Sequence, residues 1–259
     1  MKKCISILTR GYQDFSKYDS LLQRNQHIER HLDDKTIDLL IFHEGNIRED
    51  HQMDIRKYTP SLKSMKFIDI SEKAFRKEKN SIRCTTGYST SYKHMCSFWF
   101  VDFWHYVKDY DTMLRIDEDC NIEFNIDSVF SQLEREDCLF VAGIVTVCLP
   151  SMTVGLNDFT LHFMETTGYH RHPPLHPKPS SGPYTNVFGI DLRFVRHHPL
   201  LVDYIDQVDR GDYIYSRRWG DLPLWGEAIH YIFGPDSLYL DNNLCYYHGS
   251  HKRHVNPKP

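Results

Sequence analysis

Thr112-Met113-Leu114-Arg115-Ile116-Asp117-Glu118-Asp119 is an apolar strand that stops abruptly on three acids. Ligands of open α/β sheets collect at strand carboxyl ends, so the stretch predicts both a sheet and the edge where its chemistry lies. A second Asp-x-Asp, Asp109-Tyr110-Asp111, precedes the strand and reads as a solvated turn. Position, not composition, separates the two copies.

Working outward, Ile5-Ser6-Ile7-Leu8 is a short first strand that ends in the polar turn Thr9-Arg10-Gly11-Tyr12. Tyr18, Leu21, Leu22, Ile28 and Leu32 recur near helical spacing and predict a helix over about 15–32. The near-continuous apolar run Ile37–Phe42 predicts a strand covered on both faces, and Met65–Ile70 a third strand. This order predicts an α/β fold with a mixed, mostly parallel central sheet flanked by helices. Tyr88, Tyr92, Met95, Phe98, Trp99, Phe103 and Tyr106 form an aromatic stripe, read as a core-facing helix over 88–110. Leu139–Val147 reads as a further strand, and Pro199–Val208 and Leu222–Ile232 as helices. Residues 168–186 are rich in Gly, Pro, His and Ser and read as a substrate lid. His170, His172 and His176 fall inside it as polar lid residues rather than a metal cluster. The tail from Gly249 reads as loose.

Of the 259 residues, 41% are hydrophobic and 25% charged, which excludes wholesale disorder and suits a single domain. A net charge of −4 leaves no broad basic surface, so nucleic acid is excluded as a partner. No apolar run approaches the roughly 20 residues that cross a bilayer, so no transmembrane segment is expected. Arg10 interrupts the opening apolar stretch, which therefore reads as a strand and not a secretion signal. The expected location is a reducing cytoplasm, unless an anchor has been removed. The seven cysteines include no Cys-x-x-Cys pair, which makes buried free thiols the default.

Asp117 and Asp119 offer hard oxygen ligands, which suit Mn²⁺ or Mg²⁺. A departing diphosphate needs such an ion to neutralise its charge. His248 is the candidate third ligand, against the alternative that it is one of many surface histidines among the 16.

Tyr92-Lys93-His94-Met95-Cys96-Ser97-Phe98, Arg115–Asp119, Asn186-Val187-Phe188-Gly189-Ile190-Asp191-Leu192 and Gly211–Pro223 with its Trp219-Gly220-Asp221 block follow in order, as does Tyr246-Tyr247-His248. Over roughly residues 85–250 this pattern resembles the fungal Ktr/Mnt α-mannosyltransferases. The resemblance implies a GT-A glycosyltransferase that moves a sugar from a nucleotide-diphosphate donor to an oligosaccharide or glycoprotein glycan. It implies a donor-binding half over 1–120 and an acceptor-binding half over 121–250. Metal ligands are then Asp117, Asp119 and His248. Thr9, Arg10, Gly11, Lys93, His94, Asp117 and Glu118 bind the donor. Trp219, Tyr184 and Tyr215, with Tyr213 as a softer candidate, contact the acceptor. One departure stands out: the family's glutamate, its proposed nucleophile for retaining transfer, falls on Phe188. The amino-terminal block, with Phe42-His43-Glu44-Gly45-Asn46, is closer to sugar transferases of large algal viruses, which implies a UDP-sugar donor such as UDP-xylose and a host-cytoplasm location.

Without that glutamate the sequence favours inverting transfer with Asp221 as general base. The alternative for Asp221 is a cap on the helix beginning at Leu222-Pro223. Asp191 and Glu227 are reserve bases. The rival readings are a retaining GDP-mannose-dependent α-mannosyltransferase, a metal-dependent phosphotransferase or nuclease, and a non-catalytic glycan-binding module.

Overall fold

The computed structural model describes residues 1–75, 88–169 and 180–257. Its strands are β1 (Lys3–Leu8), β2 (Asp38–His43), β3 (Met65–Asp69), β4 (Thr112–Ile116), β5 (Cys120–Ile122), β6 (Phe140–Ala142), β7 (Val145–Val147), β8 (Ser181–Pro183), β9 (Val187–Asp191), β10 (Leu238–Leu240), β11 (Tyr246–His248) and β12 (Arg253–Val255). Seven of them form the central sheet in the order β10-β6-β9-β4-β1-β2-β3. β9 runs antiparallel to both its neighbours, and the other pairings are parallel. The mixed, mostly parallel sheet expected from the sequence is the one observed.

Every residue of β2 and of β4 is buried, Asp38, His43 and Arg115 included, as in strands between two helical layers. On one face, Phe98, Trp99, Phe103, Phe140, Phe188 and Trp225 pack into a single aromatic core. On the other, Tyr18 and, from the helix Asp19–His31, Leu21 and Ile28 cluster with Ile126, Val129 and Phe130. Each fully buried side chain of this size contributes about 1.5–3 kcal/mol. Edge-on pairs such as Phe100 with Trp225, 5.4 Å between ring centres at 79°, add about 0.5–1.5 kcal/mol.

Three local expectations are corrected. The strand expected over Leu139–Val147 divides: β6 stays in the central sheet, while β7 leaves to pair with β8. The burial pattern carries the reason, since Phe140–Ala142 is wholly buried whereas Val145 and Val147 are exposed. The single helix expected over 88–110 is a helix Thr90–Ser97 that continues into a wide π turn, Phe98–Asp102, and a tight turn, Phe103–His105. The tail after Gly249 is not loose, because β12 pairs antiparallel with β11 and buries Val255. β11 pairs in turn with β5, so this small sheet is stitched directly to the acid turn.

His170, His172 and His176 lie outside the described residues, as does most of the expected lid. Its last part, Ser181–Pro183, is β8. No described helix is long and apolar enough to cross a membrane.

Candidate active site

β4 ends beside the carboxyl end of β1 in the parallel ladder. The turn from β4 to β5 then splays three consecutive acids in three directions. Glu118 turns toward β1, where it accepts a hydrogen bond from the Thr9 hydroxyl. Asp117 folds back onto its own strand: Arg115 Nε donates to its Oδ1 at 2.8 Å and Asn186 Nδ2 to its Oδ2 at 3.2 Å. Asp119 faces the small sheet, with His248 Nε2 3.4 Å from its Oδ1 and the backbone N–H of Ser250 2.7 Å from its Oδ2. The β5–β11 register explains the distant partner, because it sets His248 directly opposite Cys120.

Burial dominates the electrostatics. It pushes the Asp117 carboxyl up despite the Arg115 guanidinium, and the Glu118 carboxyl up despite its bond from Thr9. Burial also acts upward on Asp119, yet the neighbouring His248 imidazole and the backbone N–H of Ser250 carry this carboxyl well below its usual range. Asp119 is therefore the most persistent anion of the three. Its ligand atoms, those of His248 and those of Cys120 lie within 4.8 Å of one another. Burial drives the Cys120 thiol far up, so it stays protonated and is a poor partner for a hard ion. The fit to a divalent cation rests on Asp119 and His248, an oxygen and an imidazole donor. Asn186 Oδ1, buried without a hydrogen-bond partner, is a further hard donor beside them. Asp117, the other expected ligand, accepts from Arg115 and Asn186 on its two oxygens.

Beside the acid turn opens a cavity of about 220 Å³ lined by Thr9, Arg10, Glu44, His94, Met95 and Glu118 among others. Glu44 was not among the expected site residues; its position just after β2 was the available signal. Gly11 does not line the cavity. A Cβ there would come 2.0 Å from Asn46 O, and its N–H donates to Asn46 Oδ1 at 2.8 Å, so the residue closes the turn against the neighbouring loop. A second cavity, about 310 Å³, shares none of the first cavity's lining residues and is lined by Thr153, Val154, Asn157, Asp158 and Ser180 among others.

The buried hub of the site is Arg115, which reads in the sequence only as a strand residue. Its Nη1 donates to Asp221 Oδ2 at 2.5 Å while Nε holds Asp117, and the guanidinium lies 4.5 Å from the Trp99 ring centre. Asp221 opens the helix Asp221–Ala228 and also accepts from Thr185 Oγ1 at 2.8 Å. At 4% exposure it is neither a base open to an acceptor hydroxyl nor a side-chain cap, since the capping position is Gly220.

Several further assignments are corrected for the same reason, which is burial in specific contacts. Lys93 is fully buried and donates from Nζ to Tyr215 O at 2.6 Å, tying two helices together rather than meeting a phosphate. The Tyr215 hydroxyl bonds His94 Nδ1 at 2.9 Å. Trp219, 1% exposed, donates from Nε1 to Val154 O and packs at a tilt against the half-buried Tyr213, so the Trp219 ring serves the core and offers no sugar platform. Tyr184 faces histidines, not solvent: its hydroxyl lies 2.8 Å from His248 Nδ1 and 2.6 Å from His251 Nδ1. Asp191 is bound to Arg193 and caps the helix Leu192–Val195. Glu227 is buried against Ser180, whose hydroxyl donates at 2.6 Å. Phe188 lies in a closed apolar niche, parallel to Phe140 and against Trp225.

No protein-family model matches the chain. It is 25% identical over 190 residues to the α-1,2 mannosyltransferase Ktr1 of Saccharomyces cerevisiae, covering 67% of this chain but 47% of that protein. The chain thus spans about half the length of the curated relative it matches. Core-mannan synthase A (CmsA/Ktr4) of Aspergillus fumigatus, solved in its Mn/GDP form, superposes with a TM-score of 0.82 at 16% identity, over 100% of this chain and 77% of that one. The mannosyltransferase Ktr4p of S. cerevisiae gives 0.80 at 18%, over 95% and 70%. The fold is that of the GT-A glycosyltransferases, and the chain resembles the Ktr-type mannosyltransferases.

Proposed function

We propose that the chain transfers a sugar from a nucleoside-diphosphate donor to a glycan hydroxyl, with a divalent cation held by Asp119 and His248. The observation that carries this reading is the Asp119–His248 pair at the carboxyl end of β4, beside the cavity lined by Thr9, Arg10 and Glu118. The ion would supply positive charge to the departing diphosphate. Mn²⁺ is the first choice, with Mg²⁺ the other candidate, since a neighbour of the same fold carries Mn with GDP. Around that centre the chain binds and orients. Glu118, fixed by Thr9, and Glu44 offer acceptors to nucleoside hydroxyls, while Arg10 faces the phosphates across the same cavity.

GDP-mannose replaces UDP-xylose as the favoured donor. The support is the mannosyltransferase relative and the GDP-bearing neighbour. The stereochemical reading changes with it. Phe188 supplies no nucleophile and Asp221 no accessible base, so neither of these two positions provides the carboxylate for a covalent intermediate or for attack from the opposite face. The acceptor oxygen then bonds to the anomeric carbon as the carbon–phosphate-oxygen bond breaks. Its proton passes to the departing phosphate oxygen on the same face, which retains the configuration.

The test is to supply GDP-mannose, Mn²⁺ and methyl α-mannoside and to read the product linkage by NMR. Release of GDP with an α-linked disaccharide is expected. A β-linked product, or consumption of UDP-xylose with GDP-mannose untouched, overturns the reading.

A further inference from the structure

Behind the proposed ligand His248 lies a short chain of hydrogen bonds that none of the relatives' names or the motifs above assigns. The Tyr184 hydroxyl sits between two imidazoles, 2.8 Å from His248 Nδ1 and 2.6 Å from His251 Nδ1. A phenol has one proton to donate. It therefore cannot donate to both rings.

The other side of His248 decides the direction. Its Nε2 meets the Ser250 hydroxyl at 3.0 Å and the Asn186 amide nitrogen at 3.3 Å, both able to donate and both nearer than the acceptor Asp119 Oδ1 at 3.4 Å. An amide N–H aimed at Nε2 requires a lone pair there, which puts the His248 proton on Nδ1, where it donates to the Tyr184 oxygen. Tyr184 in turn donates to His251 Nδ1, whose own proton sits on Nε2. Tyr184 is 6% exposed, so water does not readily substitute for the phenol, whereas His251 is at the surface.

We propose that Tyr184 and His251 are positioning residues that hold His248 in the tautomer with Nε2 bare, and so set its affinity for the cation. This rests on the metal reading above. Without the relay, Asp119, 3.4 Å from Nε2, favours the opposite tautomer, with the proton on the nitrogen the metal needs.

Two measurements separate this inference from the reading beneath it. Imidazole ¹⁵N NMR of the metal-free protein reports the His248 tautomer, and Mn²⁺ titration followed by electron paramagnetic resonance reports affinity. Wild type is expected to show His248 protonated at Nδ1. Tyr184→Phe, which keeps the packed ring, and His251→Ala should each move the proton toward Nε2 and weaken Mn²⁺ binding by about tenfold or more. His251→Asn, whose side-chain oxygen can stand near the Nδ1 position as an acceptor, should recover most of the affinity. If Tyr184→Phe keeps both the wild-type tautomer and the wild-type affinity, the relay is wrong. If Tyr184→Phe has its effect but His251→Ala has none, the relay is also wrong, because the outer imidazole then plays no part. A wild-type protein with the expected tautomer that binds no Mn²⁺ would leave the hydrogen-bond chain standing but remove its role at a metal, and with it the metal reading itself.

Discussion

Replacing Arg115 by methionine isolates the structural centre of the site. The substitution keeps much of the volume, yet it removes the cation shared by Asp117 and Asp221, at 2.8 Å and 2.5 Å. The Arg115 and Asp221 side chains are 4% and 6% exposed, so solvent cannot replace the lost partner. Breaking a buried ion pair from one side costs about 3–5 kcal/mol, because the surviving charge stays desolvated. The contact with Trp99 adds to the loss by up to about 2 kcal/mol. At about 2–4 °C per kcal/mol for a protein near this size, the midpoint of thermal unfolding should fall by at least about 6 °C. Urea unfolding at neutral pH, with thermal melts in parallel, measures it. The deficit should shrink as the pH falls, because protonation removes the charges left without a partner. Arg115→Met combined with Asp221→Leu should recover part of the stability. A loss below about 1 kcal/mol at neutral pH would refute the claim that this hub holds the acid turn.

Two further outcomes follow from the packing around the helix Asp221–Ala228. Glu227 is buried, which raises its carboxyl above the usual range against the opposing bonds from Ser180, Thr160 and Asn157. Its folded form binds the proton more tightly than its unfolded form, so wild-type stability falls as pH rises from the ordinary glutamate value near 4.5 through the raised one. Glu227→Gln should be free of that loss, and the gap between the two proteins in urea unfolding should widen between pH 4 and 7; a constant gap contradicts it. Gly226→Ala places a methyl 1.8 Å from Ser181 O, backbone against backbone, and should cost at least the ~1–3 kcal/mol of overpacking, read as a lower unfolding midpoint. An unchanged midpoint would show that the contact between β8 and the helix Asp221–Ala228 yields easily.

How far the fold was readable depends on whether a feature is local. β4 announces itself because an apolar run breaks on charge, β2 because Leu39–Phe42 is apolar throughout, and β1 because only Ser6 interrupts Cys4–Leu8. The division at Gly143 is less visible, since Val145 and Val147 are as apolar as Phe140–Ala142 yet lie exposed on another sheet. His248 was found through its motif, but its pairing with Asp119 follows from a ladder between strands far apart in sequence. Arg115 was missed because a lone arginine in a strand looks like a solvated residue until both acids are seen around it. The misassigned aromatics share one cause. A ring with a polar edge reads the same in composition whether it stacks on a sugar or, like Trp219 and Tyr215, hydrogen-bonds inside the core. The same holds for Lys93, whose charge at a helical position signals solvent until its amine is found on Tyr215 O.

The most direct test of the central claim is the Mn²⁺ dependence of GDP binding, measured by calorimetry on the wild type and on Asp119→Asn. GDP should bind to the wild type with Mn²⁺ present and lose most of its affinity in chelator, whereas Asp119→Asn should bind equally weakly in both. Tight binding in chelator, or a full response to Mn²⁺ without the Asp119 carboxylate, would contradict the account.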